Sequence, residues 1–242
     1  MIKKFLIVNA DDFGLTAGVN AGIIRAHEQG IVTSASLMLR GAAVAEAAAY
    51  AQARPQLGVG LHVDLCEWRC VNDEWQLAYE VVPLADERAV AAEVLRQLEI
   101  FQQVMGRMPD HLDSHQHVHQ DEPLKSILLA HAKKLGVVLR HAAARVNYCG
   151  AFYGQSDKGY AYHEGISVAA LVKILRELPP GVSELGCHPG LAGELDSVYC
   201  VERERECATL CDARVRAAVA EQGIGLISFS EMVGGRMYQS GK

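Results

Sequence analysis

The sequence predicts an α/β fold on a mostly parallel sheet. Three observations carry that expectation. Strand-like and helix-like segments alternate from end to end, the main strand-like runs are continuously apolar, and an ionisable residue closes several of them. Repeated βα units leave two architectures open at this point, a doubly wound sheet or a closed barrel.

The elements follow in order. "KFLIVNA" (4–10) is a compact apolar run, as in a strand buried on both faces. Residues 17–29 have helical spacing, with Val19, Ile23, Ala26 and His27 on one side and Gly30 as a stop. "IVTSASLML" (31–39) returns to strand, and an alanine-rich helix over 43–53 closes at Arg54-Pro55. "LGVGLHVDL" (57–65) is a third strand. Residues 66–85 show no clear period and read as a long loop carrying Trp68, Trp75 and Tyr79. An amphipathic helix covers 86–105, after which Gly106 and Pro109 turn the chain into "HLDSHQHVH" (111–119). A helix at 121–135, strand "VVLRHA", an aromatic loop at 147–165, a helix at 167–177, strand "SELGCHP", one helix over 201–222 and strand "GLISFS" complete the chain. With no internal repeat or linker, residues 1–242 read as a single catalytic domain with 235–242 as a flexible tail.

Bulk properties narrow the function classes. Half of the 242 residues are hydrophobic and 21% are charged, an ordinary globular composition. A formal net charge of −6 with scattered Lys and Arg argues against nucleic acid as a partner. The apolar run in "MIKKFLIVNADDFG" ends in two aspartates and is too short for a secretory leader. No stretch reaches the roughly twenty apolar residues of an integral membrane helix, so the expected location is cytoplasmic. Seven cysteines without regular spacing read as reduced thiols; a zinc knot at Cys200, Cys207 and Cys211 fits no standard finger.

The polar residues fall in a pattern. Asp11 and Asp12 follow the first strand, His62 ends the apolar part of the third, His115 to His119 end another, and His188 ends "SELGC". Barrels and open parallel sheets both collect ligand-binding groups at that edge. Singly, an Asp pair can cap a helix, a lone His can be a structural hydrogen-bonding residue, and "HPG" can be a turn. Together on one rim they point to a metal site. If 111–119 stays extended, Asp113, His115, His117 and His119 share one face with neighbours about 6.6 Å apart. Metal–nitrogen bonds of about 2.1 Å then prevent His115 and His119 from sharing one ion without a bend. His111 precedes the strand end and reads as structural.

The motifs "NADDFG" (9–14), "GLHVDL" (60–65), "HLDSHQHVH" (111–119) and "ELGCHPG" (184–190), with "GIVTSASLML" and the late "RERE", resemble the YdjC-like carbohydrate deacetylases over residues 5–233. The resemblance implies a distorted (β/α) barrel, polysaccharide-deacetylase-like, that hydrolyses N-acetyl groups of amino sugars with one divalent metal ion. Carried onto this chain, it implies Asp12, His62 and His115 as metal ligands and His188 as the acid. Asp11 becomes the general base by analogy with the wider polysaccharide deacetylase group. Asp113, His117 and His119 are left as substrate-facing residues or supports of the ligands. The family is described with Mg²⁺, whereas one carboxylate and two imidazoles suit Zn²⁺.

The aromatic residues of the two loops, Trp68, Phe152 and Tyr153 among them, are candidates to stack on sugar faces. "GAFYGQ" and the segment after it resemble a branch linked to hopanoid lipid biosynthesis, implying a glycolipid rather than a chitin oligosaccharide. Two rivals remain: a metal-dependent phosphoesterase of (β/α) barrel type, and a sugar-binding protein without catalysis. A homo-oligomer is compatible with the sequence.

Overall fold

A computed structural model describes residues 3–191 and 199–233; the tail expected at 235–242 lies outside them. The chain opens with β1 (Lys4–Phe13), α1 (Ala17–Glu28), β2 (Ser34–Leu37), α2 (Val44–Gln52) and β3 (Gly58–Val63). Thr16 caps α1 by accepting from Val19 N, satisfying a backbone donor that the first helical turn leaves without a partner.

The stretch expected to be a long loop is instead an antiparallel hairpin, β4 (Cys66–Val71) and β5 (Glu74–Glu80). Its turn residues Asn72 and Asp73 have φ of 53° and 66°, the left-handed pair that a tight hairpin turn needs. The side chains of β5 are mostly exposed, so no buried face imposes the period that would have revealed it.

Next come α3 (Glu87–Met105), β6 (His111–Ser114), α4 (Leu124–Leu135), β7 (Val138–Leu139) and β8 (Val146–Cys149). Asp86 caps α3 and Gly106, at φ 69°, ends it. The remainder is α5 (Val168–Glu177), β9 (Gly181–Cys187), α6 (Val201–Leu210), α7 (Ala213–Glu221), β10 (Ile224–Leu226) and α8 (Phe229–Val233). The single helix expected over 201–222 is therefore two, because Asp212 adopts an extended conformation and caps α7 through Arg214 N.

Among the described residues, eight strands form one parallel sheet in the order β7-β6-β3-β2-β1-β9-β8, with β10 also on β1. Arg140, immediately after β7, bonds Asp11 of β1 and Glu184 of β9, at 2.6 and 2.7 Å. In a flat sheet those strands would stand about 19 and 24 Å away, at about 4.8 Å per step. The sheet therefore curls, and the fold is a distorted (β/α) barrel. A small inner cluster of Ile7, Val182, Ile227 and Phe229 has Val138 of β7 and Val146 of β8 packed on it, drawing the two edge strands toward one interior. The larger core lies between the sheet and its helices, with Leu6, Val8, Ile23, Leu61, Val94, Leu128 and Leu171 fully or almost fully buried. No helix among the described residues is long and apolar enough to cross a membrane.

Candidate metal centre

Asp11 and Asp12 are successive residues of β1, which in a regular strand would point to opposite faces. The register of β1 against β2 shifts between Ala10 and Phe13, and Asp12 has φ 68°. That irregularity re-aims Asp12, so both carboxylates line one cavity at the C-terminal end of the sheet.

His62 of β3 and Asp113 of β6 are register neighbours on adjacent parallel strands. His62 Nδ1 lies 2.8 Å from Asp113 Oδ1, and His62 Nε2 faces Asp12 Oδ1 at 3.4 Å. A carboxylate behind one imidazole nitrogen fixes the tautomer that offers the other to a metal. Ser36 donates to Asp113 Oδ2 at 2.6 Å, and Arg140 Nη2 stands 3.0 Å from the same oxygen. Burial disfavours charge on His62, but Asp113, with Asp12 and Asp11, outweighs it and pushes the pKa up to about 10.

His115 begins a short 3₁₀ segment, and its Nδ1 lies 3.1 Å from Asp12 Oδ1. Arg203 of α6 donates to the other oxygen, Asp12 Oδ2, at 2.6 Å. Asp12 is buried, yet Arg203, with His115 and His62, holds its carboxyl well below the usual range. The chain does not stay extended to His119. It reverses at Gln116 and His117, with φ of 50° and 56°, so the expected four-residue face does not form. His117 lines the cavity, whereas His119 is tucked behind it with Nδ1 2.7 Å from the Ser114 hydroxyl.

One donor atom from each of Asp12, His62 and His115 lies within 4.8 Å of the others. Two ligands of one ion stand at most about 4.2 Å apart when bonds are about 2.1 Å, so the set fits a divalent cation after a small closure. One donor atom each from Asp11, His62 and Asp113 also lies within 4.8 Å of the other two, but there Arg140 already pairs with both carboxylates. The described cysteines join no metal-ligand cluster among the described residues.

Asp11 is gripped on both oxygens, by Arg140 at 2.6 and 2.8 Å and by Asn9 at 2.8 Å. Burial opposes its charge, but Arg140 prevails and brings the pKa down to about 2. His188 follows β9, with Nε2 3.9 Å from Asp11 Oδ2 and a buried Nδ1 that has no hydrogen-bond partner. Burial, aided by Arg203, lowers its pKa to about 4, so the ring is neutral near pH 7. Its backbone N–H donates to Glu206 of α6, which also accepts from the Tyr199 hydroxyl.

The cavity has a volume of about 660 Å³. Trp68 and Trp75 of the β4–β5 hairpin overhang it, 38% and 52% exposed, with Tyr153 on another wall. Phe152 reaches the lining but is 1% exposed and belongs to the main core. His111 is outside the cavity, stacked on Phe229 at 4.0 Å with Nδ1 2.6 Å from Asp110.

Sequence reasoning assigned no role to Arg140 or Arg203, which set the charge of the two aspartates. Arg140 closes "VVLR" as His62 closes "GVGL", so the strand-end rule could have found it. Arg203 sits in a helix among other charges, where no local signal separates it from a solvated face.

A family model described as YdjC-like protein matches residues 5–221. The chain belongs to the YdjC-like family. A relative from Salmonella schwarzengrund (strain CVM19633), a chitooligosaccharide deacetylase, is 34% identical over 254 residues, covering 96% of this chain and 100% of the relative. A crystal structure from Enterococcus faecalis V583, of a protein given a provisional role in cellobiose-phosphate cleavage, superposes with a TM-score of 0.76 at 27% identity, covering 95% and 99% of the two chains. A peptidoglycan N-acetylglucosamine deacetylase shares the fold at 13% identity, with a TM-score of 0.60 and 95% and 88% coverage.

Proposed function

We propose that this YdjC-like chain is a metal-dependent carbohydrate deacetylase. It hydrolyses the N-acetyl group of an amino sugar, free or carried on a glycolipid, and releases acetate. The observation that carries the reading is the convergence of Asp12, His62 and His115 beside Asp11 and His188 in one aromatic-walled cavity. The chitooligosaccharide deacetylase relative supports the substrate class.

Asp12, His62 and His115 would hold the ion. Bound there, a divalent cation supplies polarisation of the acetamide carbonyl and a lowered pKa for the attacking water. One carboxylate and two imidazoles favour Zn²⁺ on ligand chemistry, while the resemblance implies Mg²⁺. Asp11, kept ionised by Arg140, takes a proton from the water as it attacks the carbonyl carbon. His188, neutral beforehand, takes from Asp11 the proton that came from the water and delivers it to the amine nitrogen as the C–N bond breaks, which returns Asp11 to its carboxylate form. Asp11 Oδ2 and His188 Nε2 are 3.9 Å apart, longer than a hydrogen bond, so a small closure or one bridging water completes that transfer. Asp113 orients His62, and Trp68 and Tyr153 offer faces for the sugar ring.

Acetate release from N-acetylated mono- and oligosaccharides and from an N-acetylglucosaminyl lipid, with and without chelator, tests the reading. Chelator-sensitive acetate is expected. Phosphate release from sugar phosphates without acetate release would replace this function with the phosphoesterase, and sugar binding without turnover would replace it with a lectin-like role.

A further inference from the structure

We infer that His117, His119 and His141 form a second cation site, on the wall of the same cavity, for a divalent transition metal such as Zn²⁺, Co²⁺ or Ni²⁺. One ring nitrogen from each lies within 4.8 Å of the other two. The ring centroids are 5.1, 5.8 and 5.6 Å apart for the pairs 117–141, 117–119 and 119–141.

Two further observations mark the cluster as more than packed rings. His117 Nδ1 and His119 Nε2 are buried and have no hydrogen-bond partner. A buried polar nitrogen left alone is costly, and among the few explanations in a native protein is an ion. The opposite nitrogen of each ring is engaged: His117 Nε2 is 3.3 Å from the Tyr148 hydroxyl, and His119 Nδ1 is 2.7 Å from the Ser114 hydroxyl. That division, one nitrogen held and the other open, is how proteins orient imidazole ligands. The backbone contributes as well. His117 and His141 both have left-handed φ, 56° and 62°, a conformation uncommon outside glycine that turns each ring toward the other.

Three imidazoles without a carboxylate select borderline metals over Mg²⁺ or Ca²⁺, which require oxygen. Arg140 opposes positive charge at the three rings, and the carboxylates paired with it, Asp11, Asp113 and Glu184, offset that opposition in part. With three protein ligands, a fourth position remains open toward the cavity that His117 and His141 line. It would take a hydroxyl, carboxylate or phosphate oxygen of whatever occupies that space.

The test is metal stoichiometry and needs no substrate, so it stands apart from the deacetylase reading. Metal-free full-length protein is titrated with Zn²⁺ alone and with Co²⁺ alone, following bound metal by equilibrium dialysis and the visible bands of Co²⁺. Wild type should take up two equivalents. His141→Gly should take up one; the position is exposed and its φ of 62° suits glycine, so the fold is retained. Asp12→Asn should also take up one, and the double variant none. Excess Mg²⁺ should leave the His141-dependent equivalent bound. Equal uptake by wild type and His141→Gly would overturn the site.

Discussion

At the scale of single residues, the site is governed by where two arginines neutralise carboxylates. Asp11 is ionised because Arg140 grips both of its oxygens. Arg140 and Asn9 take three acceptor positions, and Oδ2, which has only the Arg140 bond among the described residues and faces His188, keeps room for a water's proton in the proposed base role. Asp11→Asn should retain the cation of the Asp12 site while lowering kcat by about 10²–10⁴-fold, the usual worth of a general base. Metal content and acetate release on the same preparation check this, and unchanged kcat would remove Asp11 from the role. Arg140 is fully buried and pairs with Asp11, Asp113 and Glu184. Arg140→Met keeps the volume but strands three buried carboxylates. The expected loss is about 3–5 kcal/mol, read from the urea midpoint at neutral pH.

At the scale of elements, the residues just after β9, His188 to Leu191, are held between α1 and α6. A Cβ on Gly22 of α1 would lie 2.3 Å from Gly190 Cα, so the helix and the "HPG" loop touch backbone to backbone. Gly22→Ala should push the loop outward, costing about 1–3 kcal/mol and displacing His188. A fall in kcat with metal content retained would mark that displacement. On the α6 side, Glu206 accepts from His188 N and from Tyr199. Burial pushes its pKa from the ordinary 4.5 up to about 7. The folded state thus binds a proton there that the unfolded chain has released. This group's contribution is fully present below pH 4.5, falls as pH rises, and is lost above about pH 7, a change of about 3 kcal/mol. Glu206→Gln cannot ionise, so the stability of wild type relative to the variant should decline across that window. Urea unfolding at pH 4.5, 6 and 8 would show it, and a constant difference would refute it.

For the molecule as a whole, the core and the candidate metal centre are separable. Nearly all of the main cluster between sheet and helices, Leu6, Val94 and Leu128 among it, lies away from the cavity, whose lining takes only Phe152 from that cluster among the described residues. Chelation should therefore abolish turnover while leaving far-ultraviolet circular dichroism and a cooperative thermal transition intact, with activity restored by re-added cation. Loss of the cooperative transition on chelation would instead make the ion structural. The barrel's curvature is what gives Arg140 its reach, because only a curled sheet brings the end of β7 to β1 and β9.

The sequence by itself determined the parallel α/β fold, through continuously apolar runs such as "KFLIVNA" alternating with helical periodicity. It also placed Asp11, Asp12, His62, His115 and His188 on a common rim, since the C-terminal ends of parallel strands share one edge. The tertiary structure decided the remainder. The hairpin at 66–80 has little buried face to set a visible period, and the break at Asp212 depends on one cap. The reversal at Gln116 and His117 sends three histidines of one motif to different partners. Arg140 acquires its three carboxylates, and His141 its two histidine neighbours, only when distant segments meet. Local pattern reports which face of an element is buried; it does not report which charges the closed barrel sets opposite one another.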